Sequence, residues 1–161
     1  MDKIIVCTYD KKLIPEKKTP EAVCWDLKIS ENLEIEPNWL KIISTWIKTY
    51  LPFWWQAKVF ARSSLPVKFG LMLANSTAVI DSDYRWEYFI QLYNFTKETL
   101  KFEKYTRLTQ MEFLPYYIES WKFGTNYIPE LEFIVDKKLY NNFEKKFSSI
   151  RWTWKFGSTG K

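Results

Sequence analysis

The chain has 161 residues, with 24 Lys and Arg against 19 Asp and Glu, a net charge of +5. That is the length of one domain, and no run approaches the roughly 18 apolar residues of a membrane span, so a soluble, cytoplasmic protein with no membrane partner is expected. The chain contains no histidine, which excludes Ser–His and Cys–His nucleophiles and leaves acid–base work near neutrality to Asp, Glu, Lys or Tyr.

The first element is IIVCTY (4–9), β-branched and aromatic, which predicts a strand; its apolar run is too short for the core of a secretory signal. Cys7 and Cys24 form no disulfide framework and read as reduced and buried. Strands are predicted over 40–51, 56–63, 87–96 and 100–117, with turns marked by Pro15, Pro20, Pro37, Pro52, NST (75–77) and DSD (81–83). Short strands with frequent turns argue for an all-β barrel or sandwich. NST at Asn75 and NFT at Asn94 match a glycosylation pattern that carries little weight without a secretory signal. Over 136–150, Leu139, Phe143, Phe147 and Ile150 recur at helical spacing with charges on the other face, so a core-packing helix capped by Asp136 is expected. FGSTGK (156–161) has the composition of a flexible tail.

Four stretches place Arg, Ser, Gln or Asp at strand ends or turns: ARSSL (61–65), AVIDSDYRWEY (78–88), TRLTQM (106–111) and RWTWKFGSTG (151–160). Singly, each reads as capping or a solvated loop. In this order, with AVCWDL (22–27) ahead of them, they resemble the five motifs of the trimeric dUTPases. The resemblance covers almost the whole chain, as a domain over 1–150 and a phosphate-binding arm over 151–161. It implies a jelly-roll or distorted β-barrel protomer, a homotrimer with each active site drawn from more than one subunit, and hydrolysis of dUTP to dUMP and pyrophosphate with Mg²⁺ on the triphosphate.

Carried over by motif position, Asp81 would activate the attacking water, and Arg62, Ser63 and Ser64 would hold the phosphates. Gln110 would join them. Tyr84 would pack under the deoxyribose, and Asn75 with its hairpin would read the uracil edge. Asp26 would stand near the metal's water shell, which suits an ion that keeps several waters and binds substrate phosphates. Arg151, Ser158 and Thr159 would meet the γ-phosphate, and Phe156 would stack on uracil. The stretch from Gln110 to Arg151 is longer than expected for the family, giving an insertion over about 118–150 that contains the predicted helix.

The departures from the motifs have a pattern. Trp occurs nine times and Gly four times, where average usage near 7% predicts roughly eleven Gly. Trp39, Trp46, Trp54, Trp86, Trp121, Trp152 and Trp154 all stand where the family has Gly or a Gly turn, whereas Trp25 and Trp55 stand at usual aromatic positions. One cause accounts for the whole set: a codon decoded as Gly in the source and written as Trp in translation. Natural adaptation and mutagenesis are the alternatives. Tyr105 also stands near a usual Gly. Competing functions are a catalytically silent nucleotide-binding or regulatory trimer and a dCTP deaminase relative; a nucleic-acid partner is not expected, because the aromatics lie mostly on apolar strands.

Overall fold

The computed structural model describes residues 3–115 and 129–148. It is all-β apart from three short helices and a 3-10 turn, and its strands form a distorted β-barrel of the jelly-roll kind. Strand β1 (Lys3–Thr8) pairs antiparallel with β5 (Lys48–Tyr50) and parallel with β12 (Glu130–Val135), Lys3 lying opposite Glu130 and Thr8 opposite Val135. Its unbroken apolar run is explained by burial on both faces. Ile4 and Val6 enter the barrel core with Leu27, Ile29, Leu108 and Tyr88. Ile5 and Cys7 instead pack into a second cluster with Tyr140, Phe143 and Phe147.

A four-stranded sheet carries most of the motifs. Its order is β2 (Trp25–Lys28), β11 (Arg107–Pro115), β6 (Trp55–Ala61) and β8 (Ala78–Ile80), all antiparallel neighbours. A second sheet joins β4 (Leu40–Ser44), β9 (Phe89–Asn94) and β7 (Leu71–Leu73), and β3 (Leu33–Ile35) pairs with β10 (Leu100–Phe102).

The strand predicted over 40–51 is two strands, β4 and β5. Residues 45–47 turn between them, with Trp46 in the left-handed region at φ 53°. The one predicted over 100–117 divides into β10 and β11 around Tyr105, at φ 73°. Alternation continued through both turns in the sequence because neither contains Gly or Pro. After β6 the ARSSL turn opens a helix, α1 (Ser64–Phe69), which no periodicity announced. It ends at Gly70, whose φ of +64° and Cβ-free approach to Thr96 Cγ2 require glycine. Asn94 is fully buried, its amide donating to the carbonyls of Ile35 and Glu98, so the NFT pattern marks no accessible site.

The C-terminal helix begins as expected: Asp136 accepts from the Leu139 amide at 2.8 Å. It is not continuous. It divides at Asn142 into α2 (Lys137–Asn141) and α3 (Phe143–Lys146). Phe143 and Phe147 are buried as the spacing predicts, together with Tyr140; Ile150 lies outside the described residues. No described helix is long and apolar enough to cross a membrane.

Candidate active site

Register builds the site. On neighbouring strands, Asp26 lies opposite Gln110, and Gln110 opposite Phe60. Side chains alternate faces along a strand, so Arg62, two residues past Phe60, falls on the same side as this row. The result is an open cleft of about 360 Å³ lined by Lys18, Cys24, Asp26, Arg62, Ser63 and Gln110, with Ala22 and Val23 at its edge.

Asp26 is 7% exposed and clamped from both sides. Its Oδ1 lies 3.1 Å from Arg62 Nε and its Oδ2 3.1 Å from an Arg107 terminal nitrogen. Burial raises the Asp26 carboxyl above its ordinary value, outweighing the downward pull of Arg62. Arg62 also donates to the Arg107 carbonyl at 3.0 Å, and Gln110 donates to the Ala61 carbonyl at 3.1 Å. These contacts hold the Arg62 guanidinium and the Gln110 amide at the cleft, with Arg107 bracing Asp26. Ser63 precedes α1, and its hydroxyl makes no capping bond to that helix. Hydroxyl, guanidinium and amide converging on one surface can grip a polyanion.

The DSDY stretch lies elsewhere. Ile80, the last residue of β8, pairs with Ala57, near the start of β6. Asp81 therefore falls five to six residues along β6 from Arg62, roughly 16–20 Å at a strand's rise. Behind it, the Tyr84 amide donates to the Asp81 carbonyl at 3.1 Å, closing a turn. Tyr84 is 8% exposed, its hydroxyl donating to the Glu87 carbonyl at 3.0 Å and its ring edge-on to Trp86. Asn75 sits in the hairpin between β7 and β8, beside Ser76 at φ 59°.

The sequence profile of the dUTPases matches residues 10–132. The chain belongs to the dUTPase family. The chain is 42% identical over 108 residues to the deoxyuridine 5'-triphosphate nucleotidohydrolase of Desulfitobacterium hafniense, covering 65% of this chain and 72% of that protein. It is 34% identical over 111 residues to the enzyme of the same name from Lactococcus lactis, covering 65% of this chain and 74% of that one. Its fold matches the crystal structure of dUTPase from Streptococcus mutans with a TM-score of 0.66 and 34% identity, over 69% of this chain and 91% of that one.

The residues expected to meet phosphate or its metal from the first, second and fourth motifs thus share one cleft: Asp26, Arg62, Ser63 and Gln110. Ser64 opens α1 next to them and does not line it. Asp81, Tyr84 and Asn75 stand apart, on and around β8. Arg151, Phe156, Ser158 and Thr159 lie outside the described residues. Arg107 and Lys18 were not singled out from sequence. Arg107 lies inside the TRLTQM stretch, where a cation three residues before Gln110 is a local signal; Lys18 has none.

Among the described residues no group of three or more His, Cys, Asp or Glu could form a metal cage. Asp26 is the carboxylate lining the cleft, and arginines hold both of its oxygens.

Of the tryptophans at glycine places, Trp46 (φ 53°) and Trp54 (φ 74°) have left-handed backbone, where a Cβ is disfavoured. At the Asn38–Trp39 turn it is Asn38 that has positive φ, at 55°. Trp86 is absent from the positive-φ positions, so its φ gives no argument for glycine.

Proposed function

We propose that this protein hydrolyses dUTP to dUMP and pyrophosphate at sites shared between the subunits of a homotrimer. The observation that carries this reading is the separation of Asp81 from the Arg62–Ser63 cleft along one sheet. A water cannot be oriented by Asp81 and directed at a phosphate gripped by Arg62 of the same protomer across roughly 16–20 Å. The site is completed when the cleft of one copy faces the β8 turn of another.

In that site Asp81 accepts the proton of the water that attacks the α-phosphate. Arg62 and Gln110 hold phosphate oxygens, and the Ser63 hydroxyl stabilises charge developing on the α–β bridge. The buried Tyr84 ring forms the floor under the deoxyribose, and the Asn75 hairpin presents fixed backbone donors and acceptors to uracil. A mismatched base would leave such groups unpaired, which is the basis of selectivity. Arg151, Ser158 and Thr159 contact the γ-phosphate, and Phe156 stacks on the base. Mg²⁺ would supply charge neutralisation for the triphosphate, and Asp26 would be the residue nearest to hold it, through water.

The test is pyrophosphate release from dUTP, UTP and dCTP with and without Mg²⁺. Fast release from dUTP alone is expected, abolished in Asp81→Asn. An Asp81→Asn protein that turns dUTP over at the parent rate would remove Asp81 from its role.

A further inference from the structure

The β8 turn is tied to the C-terminal segment at two points. Arg85, 6% exposed, donates through Nε to the Phe147 carbonyl at 2.9 Å. The same guanidinium donates to the carbonyls of Ser82 at 2.5 Å and Tyr84 at 3.2 Å, and it stacks over the Tyr50 ring at 4.8 Å. One side chain thus bridges the two residues flanking Asp83 to the end of α3. Two residues past Arg85, the Glu87 carboxylate accepts from the Tyr140 hydroxyl on α2 and from the Ser44 hydroxyl.

The segment is itself anchored. Lys48, 8% exposed, donates to the Tyr140 carbonyl at 3.0 Å and to Glu144 at 2.7 Å, and Phe143 is fully buried beneath it. Burial and the Glu87 carboxylate hold the Tyr140 hydroxyl far above its ordinary value, so it stays a donor. Residues 136–147 lie beyond the part of the chain that the family profile covers, which ends at 132.

We propose that α2–α3 is a positioning element for the reaction, with Arg85 and Tyr140 as the positioning residues that fix the turn carrying Asp81 and Tyr84. This rests on the assignment of Asp81 as the base. An arginine is suited to the role because its planar fork reaches several carbonyls at fixed angles, which a lysine cannot copy. Buried carbonyls and a carboxylate left without these donors would pull the turn toward water. A base displaced by a fraction of an ångström loses rate rather than affinity.

The experiment uses the full chain with Tyr140→Phe, which keeps the packed ring, and Arg85→Lys, which keeps the charge. Glu144→Gln loosens α3 without touching the turn and serves if Arg85→Lys does not fold. For Tyr140→Phe and Arg85→Lys, kcat for dUTP is expected to fall about tenfold with KM changed less than about twofold. Hydrogen exchange at the amides of 82–88 should accelerate while that of β6 and β11 stays as in the parent. Folded variants with parental kcat and parental exchange at 82–88 would overturn the proposal. An equal loss through KM, with exchange raised throughout the barrel, would also overturn it by showing general destabilisation. If the unsubstituted protein leaves dUTP intact, the assignment of function fails instead, and exchange at 82–88 in Tyr140→Phe decides the tie: faster exchange supports it and unchanged exchange refutes it.

Discussion

Arg62 Nε and Asp26 Oδ1 meet at 3.1 Å, yet the Asp26 carboxyl is raised above its ordinary value because burial outweighs the arginine. Asp26→Asn leaves Arg62 and Arg107 without their shared carboxylate, so it is expected to lower stability by about 1–3 kcal/mol at pH 7, by urea titration, while lowering kcat/KM about 10–100-fold and raising the Mg²⁺ needed for half-maximal rate. The pH dependence has a definite sign. The folded value lies above the unfolded one, so the stability contributed by Asp26 is complete below about pH 3.8 and declines as pH rises through the folded value. Above that it is level. The parent should show this slope in acid and Asp26→Asn should lack it.

Mixing two inactive proteins tests the shared site. Asp81→Asn keeps the cleft and Arg62→Ala keeps the turn, so neither alone should release pyrophosphate. Unfolded together and refolded, random assortment in a closed oligomer leaves roughly a quarter of sites with both residues intact. Activity near that fraction of the parent is expected, and none would appear if each protomer built its site alone.

Trp54 offers the clearest test of the glycine places. It has φ of 74°, is 38% exposed, and packs on Phe53, itself exposed. Relief of left-handed strain should exceed the packing lost, so Trp54→Gly is expected to stabilise the protein by about 0.5–1 kcal/mol. Trp46→Gly should come out nearer zero, because its ring stacks 4.4 Å from Tyr9 and lies beneath Lys104. Intact mass of the protein from its native source should be lower than the written sequence by seven Trp-to-Gly differences, if the codon reading is right.

The two thiols should react in a fixed order. Burial pushes Cys7 up to about 11, and it lies in the second core with no exposed surface. Cys24 is also raised by burial, yet it lines the cleft. At pH 8 iodoacetamide should label Cys24 slowly and Cys7 only on unfolding, with a non-hydrolysable dUTP analogue slowing the first reaction. Peptide mapping reads both.

Much of this was written locally. Hydrophobic alternation and turn residues gave an all-β chain, the β-branched IIVCTY run gave its first strand, and Asp136 with Phe143 and Phe147 gave a capped, core-facing helix. These properties depend on neighbours a few residues apart, whose spacing fixes which face of an element is apolar. The first, second and fourth motifs were legible for the same reason, as compact stretches of unusual composition. Partners distant in sequence were not legible. Periodicity states which way a side chain points and is silent on what it meets, so the parallel pairing of β1 with β12, the Arg107 clamp on Asp26 and the bridge from Arg85 to Phe147 waited for the tertiary structure. Strand register alone decided that Asp81 and Arg62 lie at opposite ends of one sheet, because each residue along a strand adds a fixed length that no local pattern records.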